Sequence, residues 1–349
     1  MSTFLEVKNL HVTFPTEDGA VLASNNVSYS VALGETLAIV GESGSGKSVA
    51  NLAVMGLHNP HRTQISGEAI LHLPEGPIDV LSAAPETVRR LRGKAMSMIF
   101  QDPMSALHPF YTIGNQIAEA WALYNEGSKE DGIKRAVEML DLVGIPDAAK
   151  RVHEYPHQFS GGMRQRVMIA MALVNNPSLL IADEPTTALD VTVQSQILRL
   201  LADLQKEFNM AVILITHDLG VVAEVADRVS VMYSGRIVES AAIDEIFYNS
   251  THPYTRGLLN SIPRVDNHGK GTRLRAIPGQ PPSLISVPKG CAFAARCEFI
   301  SHVPGGLCIA SNPDLLEKAP DHYSRCHLTG AQVIDIAAKN LAHQDNGAK

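Results

Sequence analysis

The sequence predicts an α/β protein with a mainly parallel β-sheet and helices on both faces of that sheet. Short apolar runs of strand length, such as TLAIV and AVILIT, alternate with longer segments whose apolar residues recur every three or four positions. A glycine-rich loop follows the first of these runs and precedes a helical segment. Between about residues 103 and 176 the pattern is helical throughout, which indicates a helical insertion into the α/β core.

In chain order, residues 1–40 come first and alternate apolar and polar side chains, which is typical of antiparallel strands. After the helical insertion, SLLIADE and AVILITHD are predicted strands, and TVQSQILRLLADLQKEF between them is a predicted helix. The strand-like RVSVMYSGRIVES follows, and the proline- and glycine-rich segment Ile277–Gly290 indicates a connector or an irregular loop. The predicted organisation is a domain of residues 1–245 containing the helical part of about 103–176, a C-terminal region of 246–335, and a polar tail of 336–349 that we expect to fray.

Composition and sequence pattern argue against a nucleic-acid-binding, a membrane-spanning and a secreted protein. Charged residues make up 19% and hydrophobic residues 45% of the 349 residues, and the net charge of −7 argues against a nucleic-acid partner. No apolar run approaches the roughly 18 residues that span a bilayer. The N-terminus lacks the basic, apolar and small-residue order of a signal peptide. We therefore expect a cytoplasmic protein that reaches a membrane only through a partner.

The segment GESGSGKS, Gly41–Ser48, fits the phosphate-binding pattern G-x-x-x-x-G-K-[ST]. A predicted strand, Thr36–Val40, precedes it and a predicted helix, Ser48–Leu57, follows it, so backbone N–H groups would face an anion at the start of the helix. In this pattern Lys47 contacts the β- and γ-phosphates and Ser48 binds Mg²⁺. The expected nucleotide-binding residues of the loop are Gly41, Ser43, Gly44, Ser45, Gly46, Lys47 and Ser48. The alternative, a glycine-rich turn that binds nothing, fits the strand–loop–helix context poorly.

Two further segments carry candidate functional residues. LLIADEP places Asp183 and Glu184 at the end of an apolar strand, where ligands bind in open parallel sheets. Asp183 would hold the Mg²⁺ shell and Glu184 would orient or deprotonate the attacking water, whereas the alternative is a solvated strand end. In HQFSGGMRQRV a helix begins near Ser160 with Gly161 and Gly162 in its first turn. That helix start is either a second anion site or a simple N-cap, and taken alone the N-cap is favoured.

These pieces, in this order, resemble the ATP-binding subunits of ATP-binding-cassette (ABC) transporters over about residues 4–245. Gly41–Ser48 matches the Walker A loop of that family and Leu179–Glu184 matches Walker B. The other matches are Gln101 in MIFQDP to the Q-loop, Ser160–Met163 to the signature motif, Ala188–Asp190 to the D-loop, and His217 in ITHD to the switch histidine. Phe14 in VTF matches the aromatic residue that stacks on adenine, although it is also explained as a strand residue facing the core.

The resemblance implies an ATP hydrolase with the cofactor Mg²⁺. The implied catalytic residues are Glu184, His217 and Gln101, and the implied magnesium ligands are Ser48, Gln101 and Asp183. Beyond the loop, the implied ATP contacts are Phe14, Ser160, Gly161 and Gly162. Met163 replaces the usual glutamine of the signature, a change we expect to be tolerated because Ser160 and the two glycines make the phosphate contacts. Two such subunits close head to tail, so a chain with one Walker A loop needs a second ATPase copy.

The C-terminal region resembles the extension found on oligopeptide and dipeptide permease ATPases. The segments that carry this resemblance are HPYTRGLLNSIP, IPGQPPSL and GCAFAARC. It implies ATP-driven peptide uptake at the cytoplasmic side of the membrane. The implied partners are a second, homologous ATPase in a heterodimer, two membrane permeases and an extracytoplasmic peptide-binding protein. The apolar segment Met104–Ile117 near Gln101 is the expected docking surface for the permeases, and the alternative is ordinary packing within the helical insertion.

Two alternative functions remain at this point. One is an importer of nickel or another small solute from the same branch of the family. The other is a non-transport ABC ATPase that acts on DNA or ribosomes. Such proteins usually carry tandem cassettes or a long coiled coil, and this sequence shows neither feature.

Four cysteines, Cys291, Cys297, Cys308 and Cys326, are the only cysteines of the chain. Because disulfides are disfavoured in a reducing compartment, clustered thiols there indicate one metal site. Zinc commonly binds four thiolates but uses closely spaced C-x₂₋₄-C pairs, and the spacing here also differs from the short ferredoxin run. The spacing therefore leaves the metal open. The resemblance to peptide-permease ATPases implies a [4Fe–4S] cluster, with zinc as the alternative. We expect a structural role for it, because ATP hydrolysis needs no electron transfer.

Overall fold

The computed structural model describes residues 2–102, 106–187, 189–262 and 276–347, with side chains up to residue 339. The strands are β1 (Thr3–Thr16), β2 (Gly19–Ala32), β3 (Thr36–Val40), β4 (Gln64–Leu73), β5 (Gly76–Asp79), β6 (Met96–Ile99), β7 (Leu179–Asp183), β8 (Ala211–Thr216), β9 (Arg228–Tyr233), β10 (Arg236–Ala242), β11 (Leu316–Ala319) and β12 (His322–Ser324). The α-helices are α1 (Lys47–Val54), α2 (Pro85–Leu91), α3 (Ile113–Ala122), α4 (Lys129–Leu142), α5 (Ala148–Arg151), α6 (Gly161–Leu173), α7 (Val191–Phe208), α8 (Leu219–Val225), α9 (Ile243–Asn249), α10 (Pro253–Asn260), α11 (Leu307–Ala310) and α12 (Gly330–Gly347). Short 3₁₀ turns lie at Pro156–Gln158, Ala294–Arg296, Ile300–His302 and Pro304–Gly306.

The described strands form two sheets. The larger sheet has the order β11-β12-β10-β9-β3-β8-β7-β6, and its strands β9, β3, β8, β7 and β6 run parallel. The smaller sheet, in the order β2-β1-β4-β5, is antiparallel. This is the α/β fold class that the sequence predicts, with a mainly parallel core and an antiparallel part built from the N-terminal residues.

The parallel strands bring their carboxyl ends to one edge of the sheet. Every residue of β3, β7 and β8 is buried, which explains why these strands are continuous apolar runs in the sequence. Because β8 pairs with β3 on one side and with β7 on the other, the segments that follow these three strands are neighbours in space. The candidate residues predicted at the strand ends therefore meet at this edge.

Successive residues of the parallel strands serve two different cores. In β7, Leu180 packs in a core shared with the helical insertion and α7, whereas Ile181 packs in a core shared with the antiparallel sheet and α1. The helical insertion contributes Ile117 and Met139 to the first core, and both side chains are fully buried. Burial of side chains of this size stabilises the fold by roughly 1.5–3 kcal/mol each.

Helix boundaries follow local hydrogen bonds. Ser128 and Asp131 form a capping box that starts α4, and the Ser160 side chain accepts a hydrogen bond from the backbone N–H of Met163 at the start of α6. Helix α1 ends at Val54, three residues before the predicted end at Leu57. The helices that the structure describes are all too short or too polar to cross a bilayer.

The C-terminal region is attached to the sheet through a buried polar cluster. Strand β12 pairs with β10, with Glu239 opposite Ser324. The Glu239 carboxylate is fully buried and accepts hydrogen bonds from the backbone N–H and, at 2.9 Å, the hydroxyl of Thr251. The His322 Nε2 atom lies 2.7 Å from the same carboxylate oxygen. Beyond this hairpin the chain is helical from Gly330 to Gly347, where the sequence predicts a frayed tail from residue 336.

We predict that Glu239→Ala loosens the attachment of β12 to the sheet. The substitution leaves His322 and the Thr251 N–H group buried without their carboxylate partner, which costs about 3 kcal/mol. Native-state hydrogen exchange of β12 amides measures this change in opening free energy. The matched control is Glu245→Ala, because Glu245 lies 3.8 Å from His322 Nδ1 but is 44% exposed, and protection that is equal in the two variants would contradict the assignment.

Candidate functional site

The loop between β3 and α1 follows a backbone path that glycine permits. A Cβ atom on Gly41 would lie 2.1 Å from the Met232 carbonyl oxygen, and one on Gly46, at φ +99°, would lie 2.1 Å from the Ala23 carbonyl oxygen. The loop therefore packs directly on backbone from β2 and β9. The Ser45 hydroxyl is buried and has no hydrogen-bond partner among the described residues. A loop with an unpaired buried donor at a helix start fits an anionic ligand.

The Lys47 ammonium lies inside the loop. It donates hydrogen bonds to the carbonyl oxygens of Gly41 at 2.8 Å and Glu42 at 3.1 Å, and the residue is only 5% exposed. Burial lowers the pKa of Lys47, and the nearby carboxylates of Glu184 and Asp183 oppose that shift. The only cation of the loop is thus partly desolvated and held where a phosphate would bind.

Ser48 and Asp183 are brought together from separate parts of the chain. The Ser48 hydroxyl, in the first turn of α1, donates to Asp183 Oδ1, at the end of β7, at 2.9 Å. Asp183 is 6% exposed, and burial raises its pKa, although the hydrogen bond from Ser48 acts in the opposite direction. A desolvated carboxylate beside a hydroxyl is a donor pair that suits Mg²⁺. These residues therefore fit the metal that the sequence predicts.

Glu184 is the centre of a hydrogen-bonded group. Its Oε2 atom accepts from Gln101 Nε2 and from the Thr187 hydroxyl, each at 2.9 Å, and its Oε1 atom lies 3.2 Å from His217 Nδ1. Burial by itself raises the pKa of Glu184, but the hydrogen bonds from His217 and Thr187 and the charge of Lys47 leave it below its ordinary value. Glu184 is thus held ionised beside the loop. Its φ of +45° is uncommon for a residue other than glycine.

Four of the predicted nucleotide contacts, Phe14, Ser160, Gly161 and Gly162, lie on other parts of the chain than the loop and the Glu184 group. Phe14 is half-buried, packs on the core of the antiparallel sheet, and places its ring edge-on to His58 with centroids 5.5 Å apart. Ser160 and Gly161 are exposed at the start of α6. A Cβ atom on Gly161 would lie 3.7 Å from the Leu189 side chain, which precedes α7, and one on Gly162 would lie 2.7 Å from the Val193 side chain in the first turn of α7. Of the predicted D-loop, Ala188 lies outside the described residues.

The prediction of a metal centre at the cysteines is wrong. In the described part of the chain, which includes all four cysteines, no group of three or more His, Cys, Asp or Glu side chains is arranged to hold a metal ion. The four thiols are free and instead line one cavity of about 10 Å³ with apolar neighbours such as Phe293, Val303 and Leu328. Neither the iron–sulfur cluster nor its zinc alternative is supported.

The apolar surroundings give the physical reason for this correction. Burial raises the pKa of the Cys291 thiol to about 11 and that of Cys297 to about 12. Burial also raises the pKa of Cys308 and Cys326. The four thiols are therefore protonated and pack as small apolar side chains. Clustering in sequence correctly indicated that the thiols lie together, but the cluster is part of a small hydrophobic core.

Sequence reasoning missed Thr187, Glu42 and Tyr254. Thr187 donates to Glu184, and it lies in the turn immediately after β7, three residues beyond that carboxylate. The backbone N–H of Glu42 donates to the Tyr254 hydroxyl at 3.0 Å, so a helix of the C-terminal region contacts the loop. Glu42 occupies a variable position of the phosphate-binding pattern and Tyr254 belongs to no chemical motif. The sequence signal for Thr187 is a hydroxyl three residues after the strand-end carboxylate Glu184, within reach of a hydrogen bond.

Three features meet at the carboxyl edge of the parallel sheet: the phosphate-binding loop, the Ser48–Asp183 pair that suits Mg²⁺, and the ionised Glu184 carboxylate. Together they define an ATPase with a phosphate-binding-loop fold. A family model described as "ABC transporter" matches residues 24–187, and one described as "Oligopeptide/dipeptide transporter, C-terminal region" matches residues 238–303. The chain is 48% identical to the dipeptide transport ATP-binding protein DppD of Lactococcus lactis, over 98% of this chain and 94% of that protein. It is 50% identical to the oligopeptide transport ATP-binding protein OppD of Bacillus subtilis, over 94% and 89% of the two chains. The chain therefore belongs to the ABC transporter ATP-binding proteins, which are ATP hydrolases.

Solved structures show the same cassette. A dimeric ATP-binding cassette in a post-hydrolysis state, bound to ADP and phosphate, is similar with a TM-score of 0.60 and 29% identity, over 68% of this chain and 98% of that one. A cassette from Clostridium perfringens that is part of an ABC transporter complex is similar with a TM-score of 0.59 and 29% identity, over 71% and 91% of the two chains. ATP and Mg²⁺ are thus the nucleotide and metal of this family.

We predict that Thr187→Val raises the pKa of Glu184. The hydroxyl donates to the carboxylate and favours its charged form, so removing the donor stabilises the protonated form instead. Carbon-13 NMR of labelled glutamate carboxyl groups measures this titration, with Glu184→Gln used to assign the resonance. Thr187→Ser keeps the hydroxyl and serves as the control. An identical titration midpoint in Thr187→Val and the parent would contradict the prediction.

Proposed function

We propose that this chain is the ATP-hydrolysing subunit of an importer for oligopeptides or dipeptides. The observation that carries the proposal is the extent of the similarity, which includes the C-terminal region and not only the cassette. Relatives named for dipeptide and for oligopeptide transport match over 98% and 94% of this chain. The match to the peptide-transporter C-terminal model lies outside the residues that match the general ABC transporter model. It therefore favours a peptide as the transported substrate over nickel, and favours transport over an action on DNA.

The contacts of the site residues support the following roles. The loop Gly41–Ser48 binds the phosphates through its backbone N–H groups, and Lys47 exchanges its carbonyl partners for phosphate oxygens. Ser48 and Asp183, with Gln101, would hold Mg²⁺, which when bound would neutralise charge that develops on the phosphates. Glu184 accepts the proton of the attacking water, since its pKa is kept low and it is ionised. Gln101 and His217 orient Glu184 through the hydrogen bonds described above.

The reaction is completed by a second subunit. Ser160 and Gly161 lie exposed at a helix start, where free N–H groups and the helix dipole favour an anion. We place the ATP of a partner ATPase against Ser160, Gly161 and Gly162 of this chain, and the adenine of the chain's own ATP against Phe14. A homologous but distinct partner would make a heterodimer. Two permeases, supplied by an extracytoplasmic peptide-binding protein, complete the transporter, with this chain at the cytoplasmic side of the membrane.

The permease contact is proposed at the start of the helical insertion. Phe110 is 82% exposed and Tyr111 is 57% exposed, next to the turn that leads into α3. Large exposed aromatic side chains of this kind mark a partner site. Of the rest of the predicted segment, Leu107, Ile113 and Ile117 are buried in the core of the helical insertion, and Met104 and Ser105 lie outside the described residues.

A transport assay tests the substrate class. The chain, reconstituted with its permeases and partner ATPase, should drive ATP-dependent uptake of a labelled peptide of two to five residues. Labelled Ni²⁺ supplied with the same complex tests the small-solute alternative, and co-purification without any permease would favour a non-transport ATPase. Uptake of Ni²⁺ without peptide uptake would contradict the proposal.

We predict that Glu184→Gln and Lys47→Ala separate hydrolysis from binding. Glu184→Gln removes the proton acceptor and preserves the phosphate loop, so ATP turnover should fall by at least about 100-fold while ATP still binds. Lys47→Ala removes the cation of the loop, so ATP binding itself should weaken. Equilibrium binding and steady-state ATPase assays of the assembled complex measure both effects. Near-normal turnover of Glu184→Gln would remove this residue from its proposed role.

We predict that a cysteine at Tyr111 crosslinks to a permease. The side chain is exposed, so a short bifunctional thiol reagent should join Tyr111→Cys to a permease loop that carries a second introduced cysteine. Glu68→Cys, an exposed position on β4 of the antiparallel sheet, is the control for nonspecific crosslinking and for the native thiols. Equal trapping from the two positions would contradict the docking surface.

A further inference from the structure

An ion pair joins the C-terminal region to the phosphate loop. The Arg296 guanidinium donates through one terminal nitrogen to Glu42 Oε2 at 2.8 Å and through the other to Glu42 Oε1 at 2.9 Å. The two residues are 254 positions apart in sequence. A bidentate arginine–carboxylate pair is both strong and geometrically specific. Glu42 is the second residue of the loop, next to the carbonyl oxygens that hold Lys47.

Arg296 is held rigidly from the side of the C-terminal region. It is 7% exposed, and its Nε atom donates to the carbonyl oxygen of Pro278 at 2.9 Å. Its guanidinium lies over the Tyr233 ring at 5.7 Å and over the Phe293 ring at 6.0 Å. The hydrogen bonds to Glu42 raise the pKa of Arg296, so the side chain is a permanent cation. Because Arg296 is fixed in this way, the position of the C-terminal segment that carries it determines the position of the Glu42 carboxylate.

Every polar group of Glu42 is engaged. Its N–H donates to the Tyr254 hydroxyl of α10, and its carbonyl oxygen accepts from Lys47 Nζ and from the Ser45 N–H at 3.2 Å. Tyr254 is fully buried and packs within an aromatic group, with its ring centroid 4.6 Å from that of Tyr233. The C-terminal region therefore holds Glu42 by its backbone through Tyr254 and by its side chain through Arg296.

The ion pair also offsets the negative charge that Glu42 places beside the phosphate site. A carboxylate beside a phosphate site repels the anion that binds there, and Glu42 is only partly exposed, with 27% of its side chain accessible. Arg296 neutralises that charge at contact distance. We propose that Arg296 is a positioning residue for nucleotide binding, which fixes Glu42 and cancels its charge so that the C-terminal region sets the affinity of the loop for ATP. The inference rests on the proposed role of Gly41–Ser48 in binding phosphate.

A double-mutant cycle on the full-length chain tests this inference. Arg296→Met leaves the Glu42 carboxylate unpaired in the loop, and we expect the Kd and the KM for MgATP to rise about tenfold with a smaller change in kcat. Glu42→Gln removes the repelling charge along with the pair, so its effect should be smaller. The double variant should bind MgATP as Glu42→Gln does, and therefore better than Arg296→Met alone. Arg296→Lys should recover part of the affinity because it restores the charge without the bidentate geometry.

Two controls separate this role from a structural one. Arg228 pairs with Glu35 at 2.8 Å at the opposite end of β3, so Arg228→Met breaks a similar long-range ion pair and should leave the Kd for MgATP unchanged. If Arg296 only anchored the Pro278 segment, changing Glu42 would not recover binding in Arg296→Met. Additive losses in the double variant, or a Kd for MgATP within twofold of the parent in Arg296→Met, would overturn the inference.

The proposed function fails on a different observation. Lys47→Ala, measured in the same binding assay, reports whether the loop binds ATP at all. Unchanged ATP binding in Lys47→Ala would overturn the loop assignment itself. Weakened binding in Lys47→Ala together with unchanged binding in Arg296→Met would overturn only the role of Arg296. Where Arg296→Met does not fold, Glu42→Gln and Arg296→Lys still measure the coupling, because each leaves the cavity around position 296 filled.

Discussion

The backbone hydrogen bonds that pair β8 with β3 on one side and with β7 on the other hold three strand ends at one edge of the sheet. Each strand end delivers a different chemistry: β3 leads to the phosphate loop, β7 ends at Asp183 and Glu184, and β8 is followed by His217. The hydrogen bonds among these groups, from Ser48 to Asp183 and from His217 to Glu184, exist because the strands are in register. The buried apolar faces of the strands supply the stability that keeps this register fixed.

The site is also constrained from outside the cassette. The loop packs on carbonyl oxygens of Ala23 and Met232, while Glu42 is bound by Tyr254 and Arg296 of the C-terminal region. That region is in turn anchored by the buried Glu239 and by a small hydrophobic core that contains the cysteines. The loop that binds phosphate is thus connected through packed side chains to the segment that distinguishes the peptide-transporter branch.

Much of this was predictable from the sequence because it depends on local patterns. Apolar periodicity predicts the strand Thr36–Val40 and the helix after Asp190. The glycines of the phosphate-binding pattern lie where the structure packs the loop directly on backbone atoms. Contacts between distant segments were not predictable. No local rule links Glu42 to Arg296, since the pair depends on how the C-terminal region folds back. The cysteines show the opposite error, because clustering in sequence cannot distinguish a metal site from thiols that share a hydrophobic core.

We have proposed that the strand ends of one parallel sheet form the ATP site and that a partner subunit completes it. A structure of the full-length chain with its partner ATPase and permeases, in the presence of MgATP, tests both parts. We expect the γ-phosphate between Lys47 and Glu184, Mg²⁺ on Ser48 and Asp183, and the N-terminus of the partner's signature helix on the opposite side of that phosphate. A γ-phosphate bound away from Lys47 and Glu184, or a site closed without any partner, would contradict it.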